Sequence, residues 1–282
     1  KHSEPRPKTS IFFADFEAST DGRQHSPYFC NVQNSNGRIN HSFRGVDCAK
    51  ELLDFLPDNS IVYFHNLTYD IRMFAKYGLK RTITKGSRTM TATMKYEGKN
   101  INVRDSYCII PNKLAAFPKM FGIADSIGVK EIFPYDYYTM ERLNDNRGVI
   151  NDCFTSSQDK ELFTTNIDNI KGCRLSPTTF DMYKYCQFYC EQDVRILRLG
   201  YNKFREGLLG DFGIDVLDYV TISSIADEVF RRRVYYANGN LSEYSGVVRG
   251  FLQRAVYGGR CMCADNTKRQ ITGAEIMDYD AV

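Results

Sequence analysis

The stretch FFADFEAST, residues 12–20, sets Asp15 and Glu17 inside a run that is otherwise apolar. Read as a strand, the run places these two carboxylates, two residues apart, on one face. Like charges at that spacing repel, and burying an unpaired ion is costly. The pattern therefore calls for a cation between them, and for further groups elsewhere in the chain to help hold it.

Working outward, SPYFCNVQN (26–34) and RINHSFRG (38–45) read as two more strands around the turn signal NSNG. VDCAKELLDFL has helical spacing with Asp47 as its N-cap, SIVYFHN is a strand, and LTYDIRMFAKYG is a helical pattern closed by Gly78. Three strands, a helix, a strand and a helix suit a mixed sheet, antiparallel first and then with a parallel crossover. Residues 81–107 read as a β-meander with a hairpin around Glu97 and Gly98, and NKLAAFPKMFG as a short helix. Residues 124–175 are rich in Asp, Asn and Tyr and weakly periodic, which predicts a long connection. A long helix is expected from Ser176, as N-cap, with Pro177 at the first helical position. TISSIADEVFRRRVYY predicts a further helix.

Two of these elements carry more acids. YFHNLTYD (63–70) spans the strand-to-helix junction and holds Asn66 and Asp70, four apart. YCEQD (189–193) lies in the long helix, where Tyr189 and Asp193, also four apart, share one face. Asp15, Glu17, Asp70 and Asp193 thus make four acids on three elements. Converging carboxylates select hard cations, Mg²⁺ or Mn²⁺. Two such ions are the usual apparatus for in-line attack on a phosphodiester, with Tyr189 placed to aim the attacking water. Each motif alone reads equally as a solvated face; it is their conjunction, in this order and on these element types, that carries the inference.

The bulk numbers exclude little and agree with this. The 282 residues carry a net charge of +3, with 43% hydrophobic and 25% charged residues, as in ordinary globular proteins. No apolar run approaches a membrane span. The nine Cys are scattered, without a C-x-x-C pair, which predicts reduced thiols in an intracellular setting; Cys186/Cys190 and Cys261/Cys263 leave zinc as a minor alternative. The chain opens on Lys1 and stops at Val282 inside the run EIMDYDAV, so a fragment of a longer protein is expected.

On these residues the chain resembles the family B DNA polymerases. The segments around Asp15/Glu17, YFHNLTYD and YCEQD are similar to the three exonuclease motifs of that family in its four-acid-plus-tyrosine form. YFHNLTYD is similar to the second motif of the protein-primed branch, the viral and linear-plasmid polymerases that start DNA on a protein hydroxyl. Tyr189, with no His in its neighbourhood, differs from the histidine subtype. The resemblance spans residues 11–282. It implies an α/β fold, a ribonuclease-H-like mixed sheet with flanking helices. It also implies a 3′–5′ exonuclease domain over 11–205 after a loose tail at 1–10, then a linker and the beginning of a polymerase palm over 206–282.

The same resemblance assigns further residues. VKEIFPY (129–135) resembles the branch's lysine motif, which implies a catalytic role for Lys130 and a place near the DNA for Tyr135. DSYCII (105–110) resembles the segment that contacts the single-stranded primer end and implies Ser106 as a DNA ligand, with Tyr107 where the family has Leu. Asn66 and Tyr69 are the implied single-strand ligands of the second motif, and a ring at 69 can stack on a terminal base. YGGR (257–260) resembles the linker that touches template DNA, which implies contacts from Tyr257, Gly258, Gly259 and Arg260, although the family has one residue between the Tyr and the Gly pair. EIMDYDAV resembles the strand leading into the first polymerase motif; Asp280 is the metal ligand implied for nucleotide transfer, and Asp278 competes with it. Arg231, Arg232, Arg233, Arg249, Arg254, Arg260, Lys268 and Arg269 supply either phosphate contacts or a solvated helix face.

The implied partners are single-stranded and primer-template DNA, dNTPs in the full-length enzyme and a terminal priming protein, with two Mg²⁺ or Mn²⁺ ions as cofactors. The implied location is a virus-infected host cell or a mitochondrion carrying a linear plasmid. A stand-alone exonuclease of DNA or RNA shares the four acids but leaves YGGR and EIMDYDAV unexplained. A non-catalytic interaction module with a worn nuclease fold does not account for the complete set of acids with Tyr189.

Overall fold

In the computed structural model, residues 9–20, 25–124, 132–235, 237 and 244–255 are described. The opening run forms β1 (Ser10–Ser19), followed by β2 (Ser26–Asn34), β3 (Asn40–Arg44), α1 (Cys48–Phe55) and β4 (Ser60–Phe64). After β4 the chain makes a 3₁₀ turn at Asp70–Phe74 and then the meander β5 (Leu79–Lys85), β6 (Arg88–Tyr96) and β7 (Lys99–Asp105). The seven strands form one sheet in the order β3-β2-β1-β4-β7-β6-β5. β1, β4 and β7 are parallel, and the pairs on either side of them are antiparallel. This is the expected ribonuclease-H-like mixed sheet.

The central strand is sided by its sequence. Phe12, Ala14 and Phe16 point to the face covered by α1 and by Met73 and Phe74 of the 3₁₀ turn. Phe13, on the opposite face, packs among Val194, Leu197 and Tyr201 of α5 (Met182–Phe212). Each buried Phe contributes ~1.5–3 kcal/mol, so this alternation dictates the register of β1. Glu97 (φ 46°) and Gly98 (φ 83°) close the β6–β7 hairpin as expected, because a tight hairpin turn needs left-handed backbone at both positions.

Several boundaries differ from those expected. Asp47 precedes α1 but makes no side-chain cap; Gly45, at φ 91°, turns the chain there and its carbonyl accepts from the Cys48 amide. The helix expected after Leu67 shortens to the 3₁₀ turn, and Gly78 (φ 80°) lies under the Lys95 carbonyl, leaving no room for a Cβ. Residues 124–175 are not a bare connection: they include α3 (Met140–Asp145), β8 (Arg147–Val149) and α4 (Ser157–Asn169), capped by Ser156. α4 escapes periodicity because it buries only Phe163, Asn166 and Ile167. The long helix starts at Met182, not at Ser176. The Ser176 hydroxyl accepts from the amides of Thr178 and Thr179 in a turn, and β9 (Thr179–Asp181) pairs with β8; Asp181 then caps α5 through the Lys184 amide.

α5 runs 31 residues, ~46 Å, and ends at Gly213 in left-handed backbone (φ 65°). The boundary expected near residue 205 therefore falls inside this helix. Ile214, Val216 and Ile225 of α6 (Ile222–Phe230) join the cluster around Phe13, so the first compact unit extends to Arg232. The second unit includes helix α7 (Gly246–Gln253), with Val247, Val248 and Phe251 exposed along it. Among the described residues every Cys is free, and no helix is long and apolar enough to cross a membrane.

Candidate active site

β1 and β4 are parallel neighbours, and β2 leaves β1 on its other side, so the chain switches direction at the carboxyl ends of β1 and β4. Crevices at such a point are where open α/β sheets bind ligands. Asp15 and Glu17 sit near that end of β1, on the α5 side, where a bulge at Glu17/Ala18 breaks the ladder with β2. α5 places Tyr189, Cys190 and Asp193 against them, and the Cys190 thiol donates to the Asp15 carbonyl at 3.6 Å. Asp70 arrives from the turn after β4 and is buried. That turn is set by Asn66, at φ 71°, whose amide donates to Asp105 Oδ1 at 2.9 Å.

The four acids converge as expected. Burial pushes Asp15 up to about 8, helped by the charge of Asp193. Burial, then Asp15, Asp193 and Asp70, push Glu17 well above the usual carboxylate range. Asp70 is raised by burial and by Asp15. Asp193 is pushed up to about 6 by burial, and the neighbouring Tyr189 hydroxyl restrains the shift. None of the ion pairs among the described residues involves these four groups.

A divalent cation fits this donor set. Asp70 Oδ1 is buried without a hydrogen-bond partner, the usual sign of a group awaiting an ion. Asp15, Glu17 and Cys190 each present a ligand atom, all within 4.8 Å of one another. Oxygen donors dominate the site and suit Mg²⁺ or Mn²⁺. No His and no second Cys joins the cluster, which leaves the zinc alternative without its ligands among the described residues.

Two cavities flank Asp15. One, of about 300 Å³, is lined by Asp15, Glu17, Thr20, Tyr69 and Tyr135; the other, of about 180 Å³, by Asp15, His65, Leu114, Asp193 and Leu197. The Tyr135 hydroxyl lies 2.8 Å from that of Tyr189, and Phe133 packs on the Tyr189 ring with centroids 4.7 Å apart. Asn66 is exposed, and Tyr69 is half-buried with its hydroxyl 3.0 Å from His25 Nδ1.

Ser106 is fully buried, and its hydroxyl lies 2.8 Å from the Phe64 carbonyl and 3.0 Å from His65 Nδ1. It orients His65, whose Nε2 donates to the Asn112 carbonyl at 2.9 Å and whose ring faces the second cavity. His65 and Asp105 are not singled out by the sequence, and Cys190 enters there only as a minor zinc candidate. His65 adjoins Asn66 within the second motif, and Asp105 is an acid at the end of a strand; these are the signals that could have found them. Lys130, Tyr257, Gly258, Gly259, Arg260, Asp278 and Asp280 lie outside the described residues.

Comparison with known proteins gives this site its context. The profile of DNA polymerases type B, organellar and viral, matches residues 52–282. A probable DNA polymerase of Ascobolus immersus is 25% identical over 273 residues, covering 89% of this chain and 22% of that protein. Phi29 DNA polymerase complexed with single-stranded DNA superposes with a TM-score of 0.55 at 15% identity, over 92% of this chain and 41% of the other. Its complex with primer-template DNA and incoming nucleotides gives the same TM-score and identity, over 93% and 41%. At that identity the likeness is one of fold. The chain spans about a fifth of the length of the fungal relative and about two fifths of the phage polymerase. With 231 consecutive positions matched by the family profile, the chain belongs to the type B DNA polymerases of the organellar and viral kind.

Proposed function

We propose that residues 11 to about 205, with the helices that complete the unit to Arg232, form the 3′–5′ proofreading exonuclease of a protein-primed type B DNA polymerase. The observation that carries this is the convergence of Asp15, Glu17, Asp70 and Asp193 around one buried, partnerless carboxylate oxygen, with Tyr189 one helical turn from Asp193. Asp15, Glu17, Asp70 and Asp193 would hold two divalent ions, which when bound supply charge to activate water and to offset the leaving 3′ oxygen. The chain's own groups do the rest. Tyr189, whose hydroxyl is driven far above its ordinary range by burial and by Asp193, stays neutral and acts as a donor that aims the water rather than as a base. Tyr135 holds that hydroxyl from the outer side. Tyr69 offers a ring for the terminal base, and Asn66 presents its amide beside it.

The resemblance adds Lys130 at the scissile phosphate, Tyr257–Arg260 at the template, and Asp280 as the first polymerase carboxylate. DNA, dNTPs and a terminal priming protein are the partners of the whole enzyme in this proposal, and a linear viral or organellar DNA is its template.

The test is a 5′-labelled single-stranded oligonucleotide with Mg²⁺, given to the wild-type chain and to an Asp15→Ala/Asp70→Ala variant. Stepwise shortening from the 3′ end by the wild type alone is the expected result. A folded wild type that binds the strand and leaves it intact would overturn the exonuclease assignment.

A further inference from the structure

The 3₁₀ turn that delivers Asp70 also carries Arg72, and Lys76 follows two residues beyond its end; the two cations are four residues apart and both exposed. With His25 they line a cavity of about 630 Å³ over an apolar floor that includes Met73. That volume lies within the ~300–1,000 Å³ of ligand sites. Among the described residues no carboxylate lines the cavity. Neither Arg72 nor Lys76 makes an ion pair among the described residues, and Lys76 stands 5.0 Å from the centre of the Tyr77 ring, a further wall.

This cavity adjoins the carboxylate cavity. His25 Nδ1 is 3.0 Å from the Tyr69 hydroxyl, so His25 walls one space while Tyr69 walls the other. Among the described residues, a strand whose terminal base rests on Tyr69 meets acids at its scissile end. Its remaining phosphates need cations that are not already paired, and those nearest along the chain after Asp70 are Arg72 and Lys76.

We infer that the groove formed by His25, Arg72, Lys76 and Tyr77 holds the backbone of single-stranded DNA upstream of its 3′ terminus, with Arg72 and Lys76 on phosphates and Tyr77 as a stacking face. The inference rests on the placement of the 3′ end proposed above.

Fluorescence anisotropy of a labelled single strand, in EDTA to stop hydrolysis and over a salt series, tests it. Each phosphate contact on a single strand contributes about 0.7 to the salt slope, so Arg72→Gln/Lys76→Gln should lower the slope by about 1.4 and weaken binding. Lys80→Gln/Arg81→Gln, on the outer strand β5, should keep the wild-type slope. Because a variant can fail for structural reasons, the wild type is also titrated with strands carrying one neutral methylphosphonate at successive positions. Weakening confined to the positions just upstream of the terminal nucleotide is expected. An unchanged slope in a variant that melts like the wild type, or no position-dependent methylphosphonate effect, overturns the groove. A lowered slope with no hydrolysis by the wild type in Mg²⁺ would keep the groove and remove the exonuclease; normal hydrolysis with an unchanged slope would do the reverse.

Discussion

The hydroxyls of Tyr135 and Tyr189 stand 2.8 Å apart, joining a residue of the Phe133–Tyr138 segment to the helix that carries Asp193. Tyr189 itself lies one turn of α5 from Asp193, where its hydroxyl can donate to a carboxylate or to the attacking water. A neutral hydrogen bond contributes ~1 kcal/mol and one to a carboxylate ~2 kcal/mol. Tyr135→Phe should therefore slow single-turnover hydrolysis about fivefold, and Tyr189→Phe about 30-fold. Both variants should stay folded and melt only a few degrees below the wild type, since each loses about one hydrogen bond. Equal effects of the two substitutions on rate would show that the Tyr135 bond does not act through Tyr189.

The raised carboxylates make stability depend on pH in a defined sense. Asp15 at about 8 and Asp193 at about 6 bind protons more tightly folded than unfolded, where both return to about 3.8. The folded state then holds the extra protons between those values, and stability falls as pH rises from about 4 to 8. Melting temperature measured in EDTA should drop across this window, and Asp15→Asn should flatten the drop. Mg²⁺ should restore the wild type at pH 8 and have little effect on the Asp15→Asn/Asp70→Asn variant, because a cation that binds only the folded form stabilises it by mass action. A wild-type melting curve insensitive to Mg²⁺ at pH 8 would count against the ion site.

Asp105 is buried, and its Oδ1 accepts from the amides of Asn66 (2.9 Å) and Tyr107 (3.0 Å). Asp105→Ala leaves two donors unmet and should cost ~2–4 kcal/mol in urea unfolding. Asp105→Asn keeps an acceptor oxygen and should recover most of that loss. Asn66→Val should destabilise as well, because a β-branched residue resists the left-handed backbone at φ 71°.

Gly200 is the point where α5 meets α2 (Phe117–Met120). A Cβ there would lie 2.4 Å from Phe117 Cδ2 and 2.9 Å from Phe121 Cδ2. Helix propensity alone favours Ala over Gly by about 1 kcal/mol, whereas overpacking costs ~1–3 kcal/mol. Since Phe117 is fully buried and hemmed by His65 and Phe121, the steric cost should win. Gly200→Ala should be destabilised in thermal melts, and Phe117→Leu should relieve part of the loss in the double variant.

Where periodicity and burial agree, the sequence is legible. Phe12, Ala14 and Phe16 against Phe13, Asp15 and Glu17 is a strict alternation, and it gives both the strand and the shared face of the two acids. Tyr189 and Asp193 are four apart on a helix that cannot present them otherwise. The beginning of α5 is not legible in this way, because Ser176-Pro177 is an equally good turn as a helix start. Only the pairing of β8 with β9, distant in sequence, decides between them. The surroundings of Ser106 are likewise invisible in DSYCII, since its contacts with Phe64 and His65 come from a segment about forty residues away.

The sequence by itself determined that four carboxylates and a tyrosine lie on three separate elements of an α/β fold, and that Asp15/Glu17 and Tyr189/Asp193 each share a face, because side-chain direction follows from strand and helix periods. The tertiary structure decided which other groups share their space: Cys190 against Asp15, Tyr135 against Tyr189, Asp105 beneath Asn66, and Arg72 and Lys76 beside His25. Those pairings join segments up to 175 residues apart, and they depend on how layers pack rather than on any local repeat.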